Sequence, residues 1–383
     1  MNVGAHVRGG GQLVPSLEYA VEIGATSIQV FTQSPRAWKP TQYAPEVLAR
    51  FRDALSANPS VTDTFCHATY LINLASADLD LYEKSVECLT NNLSVARGMG
   101  SSGLVLHVGS HKGAGFDDVV RQIADGLERA LDDADASPEG ARDCPILIEN
   151  AAGTGGTVGR SFEEIEFLID ACNGDDRLGL CIDTQHLWAS GFDYSSVAGA
   201  EKLVKEVDRT IGMSRLGCLH FNDSKIELGG NRDRHANIGE GTIGAKGLAP
   251  LVGHPKIRDL PLLLEVPGDG DGPRAEDVEA AKKVVAAGVK LYDGAPSRQP
   301  AARLSATPSK KAATPKKDAP TKKVARRVEK EVAKKATKKV TKKATKKATK
   351  KATSTSTPAK RPTAKKVVKV NKKLTKKTSA RKK

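Results

Sequence analysis

The stretch 216–241, LGCLHFNDSKIELGGNRDRHANIGEG, concentrates residues able to hold a metal. An apolar run ends on His220, and a polar loop then delivers Asp233 and His235 two residues apart. Imidazole nitrogens and carboxylate oxygens are the donors that zinc accepts when no thiolate is offered. A second pair, Asp183 and His186, stands three apart in CIDTQHLWASG. Adding His67, His107, Glu149 and Glu265 brings the inventory to five histidines and four carboxylates. That is too many for one ion and suits two or three zinc ions with bridging carboxylates. Clustered metals stabilise both the attacking and the leaving oxygen of an in-line displacement at phosphorus. The excess therefore points to phosphoester hydrolysis rather than to single-metal sugar chemistry.

These residues are scattered along the chain, so something must gather them. Strand-length apolar runs recur at 2–7, 27–31, 61–68, 103–108, 145–150, 178–184, 216–222 and 262–266. Helical patterns lie between them at 16–23, 45–55, 79–98, 117–131, 161–172, 198–211 and 275–286. Strands alternating with helices predict a parallel sheet with crossover helices. Eight such units over this length predict closure into a TIM (β/α)8 barrel. The strand runs lack clean alternation, as expected where both faces are covered. Seven of the eight carry His6, His67, His107, Glu149, Asp183, His220 or Glu265 within two residues of their C-terminal end. In such a barrel all strand C-termini open on one face, and that face holds the site. His6 is expected either to support a neighbour or to ligate. His111, in HVGSHKG, is expected beside the site or at the surface, and His254, in the turn sequence GHPK, is expected to be solvated.

The six cysteines (Cys66, Cys88, Cys144, Cys172, Cys181, Cys218) lie singly, against both a thiolate zinc site and a disulfide framework. No leader pattern opens the sequence, and no apolar run reaches the length of a membrane span. A soluble intracellular protein is expected. Composition changes near Gly294. Residues 295–383 carry 33 Lys+Arg and 3 Asp+Glu, which leaves 27 and 42 for the first 294 residues. The tail is thus +30 and the front part −15. Two regions follow: a TIM-barrel catalytic domain over 1–290 and a Lys/Ala/Thr/Pro-rich tail over 291–383, disordered by composition. The tail's centre repeats every four residues, which places lysine on no single face of a 3.6-residue helix. Beside a phosphoester hydrolase, it is expected to hold DNA without regard to sequence.

The motifs GAHV, FTQSPRAW, HATYLINLAS, LHVGSH, LIENAAGTG, CIDTQHLWASG, LHFNDSK, DRHANIGEGTIG and LLLEVP occur in this order from Met1 to about Gly288. Jointly they resemble endonuclease IV, the zinc-dependent apurinic/apyrimidinic (AP) endonuclease family of base-excision repair. That resemblance implies a TIM barrel with three zinc ions. His67 and His107 would hold the first, with Glu149 bridging to the second; Asp183, His220 and Glu265 would complete the second; His186, Asp233 and His235 would hold the third. Glu149, Asp183, His220 and Glu265 would carry the catalysis. The implied reaction is hydrolysis of the phosphodiester 5′ to an abasic site in double-stranded DNA by a hydroxide between the first two ions. It would leave a 3′-hydroxyl and a 5′-deoxyribose phosphate. Arg36 and Tyr70 match DNA-contacting positions, and the enzyme is expected to act as a monomer. Trp38 is read as loop packing. Gln33, Ser34 and Pro35 depart from the family's usual residues beside Arg36, so the lesion-probing loop is expected to differ in detail. Val108 and Gln185 also depart, at positions that are not ligands. The tail resembles those of linker histones and some bacterial nucleoid proteins. Two rival readings are a metal-dependent sugar isomerase or epimerase on a related barrel, and a non-catalytic DNA-organising protein.

Overall fold

In the computed structural model, which describes residues 1–8, 13–137 and 143–293, eight short parallel strands close into a barrel. They are β1 (Val3–His6), β2 (Ser27–Phe31), β3 (Asp63–His67), β4 (Gly103–Leu106), β5 (Ile146–Glu149), β6 (Leu178–Asp183) and β7 (Leu216–His220), then β10 (Leu262–Leu264). Between the last two comes a small antiparallel ladder of β8 (Asp223–Ser224) with β9 (His235–Ala236). Around the barrel the order is β1-β10-β7-β6-β5-β4-β3-β2. The α/β TIM fold expected from the sequence is the one observed. The expected tail falls outside the described residues from 294 onward.

Helices α1 (Leu13–Glu22), α2 (Pro45–Ala57), α3 (Leu79–Met99), α4 (Phe116–Asp135), α5 (Phe162–Ala171), α7 (Val197–Thr210) and α9 (Ala275–Lys290) match the seven helical patterns. Their ends carry ordinary capping chemistry. The Asp78 carboxylate accepts the backbone N–H of Asp80 and Leu81 at the start of α3, and Gly100 closes that helix at φ 73°. Ser161 and Ser196 cap α5 and α7 in the same way. Two further helices, α6 (Thr184–Ser190) and α8 (Gly244–Val252), were not expected. The first is too short to show a period, and the second is buried along its last six residues and contains Pro250. Among the described residues no helix is long and apolar enough to cross a membrane.

Inside the barrel sits a small apolar layer of Phe65, Val105, Leu147, Cys181, Cys218 and Leu263. Leu147 fills its centre because three strands offer glycine there. A Cβ at Gly103, Gly179 or Gly217 would come within 2.7–2.8 Å of Leu147 side-chain carbons. Each member of the layer precedes a candidate ligand by two residues: 65 and 67, 105 and 107, 147 and 149, 181 and 183, 218 and 220, 263 and 265. Side chains two apart on a strand share a face. The packed layer therefore fixes which way the histidines and carboxylates above it point.

Candidate metal centre

The structure places all nine expected ligands at the C-terminal rim. His67, Glu149, Asp183 and His220 end their strands, whereas His107 and Glu265 stand one residue beyond the ends of β4 and β10. His186 lies on α6, and Asp233 and His235 come from the β8–β9 hairpin. Glu149 is the hub. Its Oε2 lies 3.3 Å from His67 Nε2 and 3.1 Å from His107 Nε2, and its Oε1 lies 3.0 Å from His220 Nδ1 and 3.2 Å from His186 Nδ1. Three groups have ligand atoms within 4.8 Å of one another: His67–His107–Glu149, Glu149–Asp183–His220–Glu265, and Asp183–His186–His235. Asp233 joins the last, with carboxylate oxygens 3.4 Å from His186 Nε2 and 3.2 Å from His235 Nε2. Glu149 belongs to two groups and so does Asp183, which makes both available as bridges.

Three of the histidines have one ring nitrogen assigned by a backbone carbonyl. The carbonyls of Ala68, Asn150 and Glu265 stand 2.7, 2.9 and 3.1 Å from Nδ1 of His67, His186 and His235. A carbonyl only accepts, so each Nδ1 carries the hydrogen and each Nε2 turns a lone pair into the site. Nε2 of His186 and of His235 is buried without a hydrogen-bond partner among the described residues. Both instead face Asp233 carboxylate oxygens at 3.4 and 3.2 Å, an arrangement that needs a proton or another cation between nitrogen and oxygen. The donor set and these unpartnered nitrogens fit divalent metal, zinc above all.

The electrostatics say the same. Burial opposes ionisation of Glu149, yet His107, His220 and His186 hold its carboxyl well below the usual range. Burial likewise opposes charge on His220, but Glu265 and Glu149 push it up to about 10. His186 and His235 hold the carboxyl of Asp233, which is more exposed at the rim, below its usual range. Without a metal, protons on imidazoles must offset the crowded carboxylates; cations could take over that duty.

Residues 17–287 match the family model described as the Xylose isomerase-like TIM barrel. A probable endonuclease 4 from Methanoculleus marisnigri is 36% identical over 267 residues, 70% of this chain and 93% of that protein. One from Thermosipho africanus is 34% identical over 288 residues, 74% of this chain and 99% of that protein. The chain belongs to the endonuclease 4 family. The crystal structure of endonuclease IV from Thermus thermophilus superposes with a TM-score of 0.64 at 31% identity, covering 76% of this chain and 100% of that one. A D-tagatose 3-epimerase-like protein shares the fold, with a TM-score of 0.55 at 18% identity over 77% of this chain and 99% of that one.

Around this endonuclease 4 centre stand several residues that sequence reading passed over. Asn150 clamps the ends of β5 and β6: its Oδ1 accepts Asp183 N at 2.8 Å. Asn222 donates to Asp183 Oδ2 at 2.8 Å and accepts Glu265 N at 2.8 Å. Gln185, noted in the sequence only as a departure at a position that is not a ligand, is fully buried and fastens the hairpin that carries Asp233 and His235; its amide donates to Ser224 Oγ and the Arg232 carbonyl and accepts Arg234 N. The buried Asp223 carboxylate gathers the N–H groups of Gly239, Gly241, Ile243 and Gly244, which orders the segment after the hairpin. Their only signal was a polar residue inside an apolar run or next to a ligand.

Arg36 is exposed on the loop after β2, and Tyr70, 54% exposed, stands on the loop after β3 with its ring 5.4 Å from that of His67. The two loops are tied together, since the Pro35 carbonyl accepts from Thr69 Oγ1 at 2.6 Å and Tyr70 N at 3.2 Å. Trp38 is 36% exposed on the same loop. His6 supports a neighbour: its Nδ1 lies 2.7 Å from Glu265 Oε1. His111 is a loop organiser whose Nδ1 accepts the N–H of Gly113 and Gly115. The expectation for His254 was wrong. It is buried, pairs with Glu201 at 3.2 Å, accepts Lys256 N and packs on Tyr292, because the turn folds back beneath α9 rather than into solvent.

Proposed function

We propose that this chain is a zinc-dependent AP endonuclease. It hydrolyses the phosphodiester 5′ to an abasic site in double-stranded DNA and leaves a 3′-hydroxyl and a 5′-deoxyribose phosphate for base-excision repair. The observation that carries the reading is the convergence of nine ligand-type side chains on one rim of an endonuclease 4 barrel. His67, His107 and Glu149 would hold one zinc, Glu149, Asp183, His220 and Glu265 a second, and His186, Asp233 and His235 a third, with Asp183 near enough to share. Bound there, the metals would supply an acidified water and neutralise charge on the reacting phosphate. The chain's own part is to fix ligand orientation: Asn150 and Asn222 hold Asp183, and backbone carbonyls set three imidazole tautomers. Arg36 and Tyr70 would contact the DNA at the lesion, Arg36 as a wedge drawn by flanking phosphates.

The catalytic region would span 1–290, act as a monomer and work in the cytoplasm against nucleoid DNA. The tail, 291–383, would tether it. A front part at −15 is repelled by duplex DNA away from the metals, whereas a +30 segment neutralises phosphates and releases counterions. Deleting residues 295–383 should leave turnover at saturating substrate unchanged and weaken binding to undamaged duplex. It should also make log affinity against log salt shallower, by about 0.9 for each phosphate that is no longer neutralised. Equal slopes would remove the tether from this reading. The sugar-isomerase alternative rests on the shared fold alone. An abasic-site duplex incubated with the chain as purified, after chelation and after zinc return decides between them. Incision lost and restored, with close to three zinc bound per chain, is the expected result; no incision by the zinc-loaded chain would overturn it.

A further inference from the structure

Gln29 is the one carboxamide on β2 and is fully buried among the ligands. Its Nε2 lies 2.8 Å from Glu265 Oε1 and 2.9 Å from His6 Nδ1, and its Oε1 lies 3.0 Å from His220 Nε2. An ionised carboxylate can only accept, so the end of Gln29 that faces Glu265 must be its NH2. The other end is then the carbonyl oxygen, which also only accepts. His220 Nε2 must therefore carry a hydrogen. Its remaining nitrogen, Nδ1, stands 3.0 Å from Glu149 Oε1, 3.2 Å from Glu265 Oε2 and 3.9 Å from Asp183 Oδ2.

We propose that Gln29 is a positioning residue that sets the binding nitrogen of His220 to Nδ1 while anchoring Glu265, and so defines the middle metal position. The inference rests on the metal reading above. It sets His220 apart from three other histidines of this rim. His67, His186 and His235 are protonated at Nδ1 by backbone carbonyls, whereas His220 is protonated at Nε2 by a side chain. A backbone carbonyl cannot be mutated away, but Gln29 can, so of these four ligands His220 is the one set by a replaceable group. Gln29 reaches no exposed surface and would not touch substrate. Its loss should lower kcat while KM stays near its original value.

Two measurements test this. In the zinc-loaded full chain, long-range proton–nitrogen correlation spectra of the histidine rings should show His220 protonated at Nε2, with His67, His186 and His235 protonated at Nδ1. Gln29→Met keeps the length of the side chain and removes both polar ends. Competition against a chromophoric chelator should show one zinc weakened by about 10–100-fold, the usual effect of losing a partner of a metal ligand, with the other sites less changed. Gln29→Met is first checked for the wild-type circular dichroism spectrum; if it does not fold, the wild-type ring spectra decide alone. His220 protonated at Nδ1 in a zinc-loaded wild type, or equal zinc affinity in a folded Gln29→Met chain, overturns the role of Gln29 and leaves the metal reading standing. A wild type that binds no zinc overturns both.

Discussion

At the N-terminal end of the barrel, Arg177 just before β6 reaches Asp132, Asp135 and Asp175 at 3.0, 2.6 and 2.6 Å. Arg97 meets the other oxygen of Asp135 at 2.7 Å, and Arg215 donates to the carbonyls of Gly174, Asp175 and Leu178. At the C-terminal end, carboxylates crowd one another, and Nε2 of His186 and of His235 has no hydrogen-bond partner among the described residues. Unpartnered nitrogens occur at both ends, since Arg97 Nε and Nη1 are also buried without a hydrogen-bond partner among the described residues, so what changes between the rims is the cation: guanidinium groups face the carboxylates at one end and imidazoles at the other. Guanidinium satisfies carboxylates with fixed charge and fixed geometry, which suits an end that only needs to hold. Imidazole can give up its proton to make room for another cation, which suits an end that must bind.

The largest expected effect comes from breaking the binding rim at its hub. Glu149→Gln should fold, since it keeps size and one acceptor. It should cut incision by at least on the order of 10²–10³-fold, the loss typical of removing one electrostatic stabiliser, and reduce bound zinc. Wild-type turnover by a folded Glu149→Gln chain would end the assignment. The converse change belongs at the other rim. Arg177→Ala should cost about 1–2 kcal/mol of stability, discounted for its partial exposure, and leave kcat unchanged at temperatures where the variant is folded. Urea unfolding and steady-state rates on the same preparation check both halves. A variant as stable as wild type would mean the guanidinium network contributes nothing measurable.

The smallest effect is on acid stability. Burial opposes ionisation of Asp175, but hydrogen bonds from Arg177 leave its carboxyl below the usual value. A carboxyl lowered in the folded state stabilises above its unfolded value of about 3.9 and loses that contribution as pH falls through the folded value. Wild-type stability should therefore drop below about pH 4, and Arg177→Ala should show a shallower acid limb. Identical acid limbs would separate Asp175 from Arg177 energetically.

The barrel was legible because eight apolar runs alternate with helical patterns, and the ligands because those runs finish near a histidine or carboxylate; the layer two residues below the ligands came only with the structure. A residue that ends an apolar run faces the same way as the core residue two before it, as Val105 and His107 or Leu263 and Glu265 do. The ligands' supports were not legible. Gln29, Asn150, Gln185 and Asn222 act through the orientation of an uncharged amide, and nothing in composition or spacing separates such a residue from one merely tolerated in the core. The β8–β9 ladder was missed because its two-residue strands lie within a polar loop, and His254 because GHPK reads as a turn whichever way it faces.

One detail of α6 bears on how the rim assembles. Asp183 caps this helix, its Oδ1 accepting the N–H of His186 at 2.8 Å, while its Oδ2 faces His220 and His235. The three-residue spacing of Asp183 and His186 is thus the spacing between a helix cap and the third residue of the first turn. The same carboxylate caps the helix and faces two histidines of the rim. The first turn of α6 cannot open without swinging His186 away and releasing one oxygen of Asp183. Exchange of the His186 amide hydrogen should therefore slow if metal fills the rim, which hydrogen-exchange measurements with and without zinc would check.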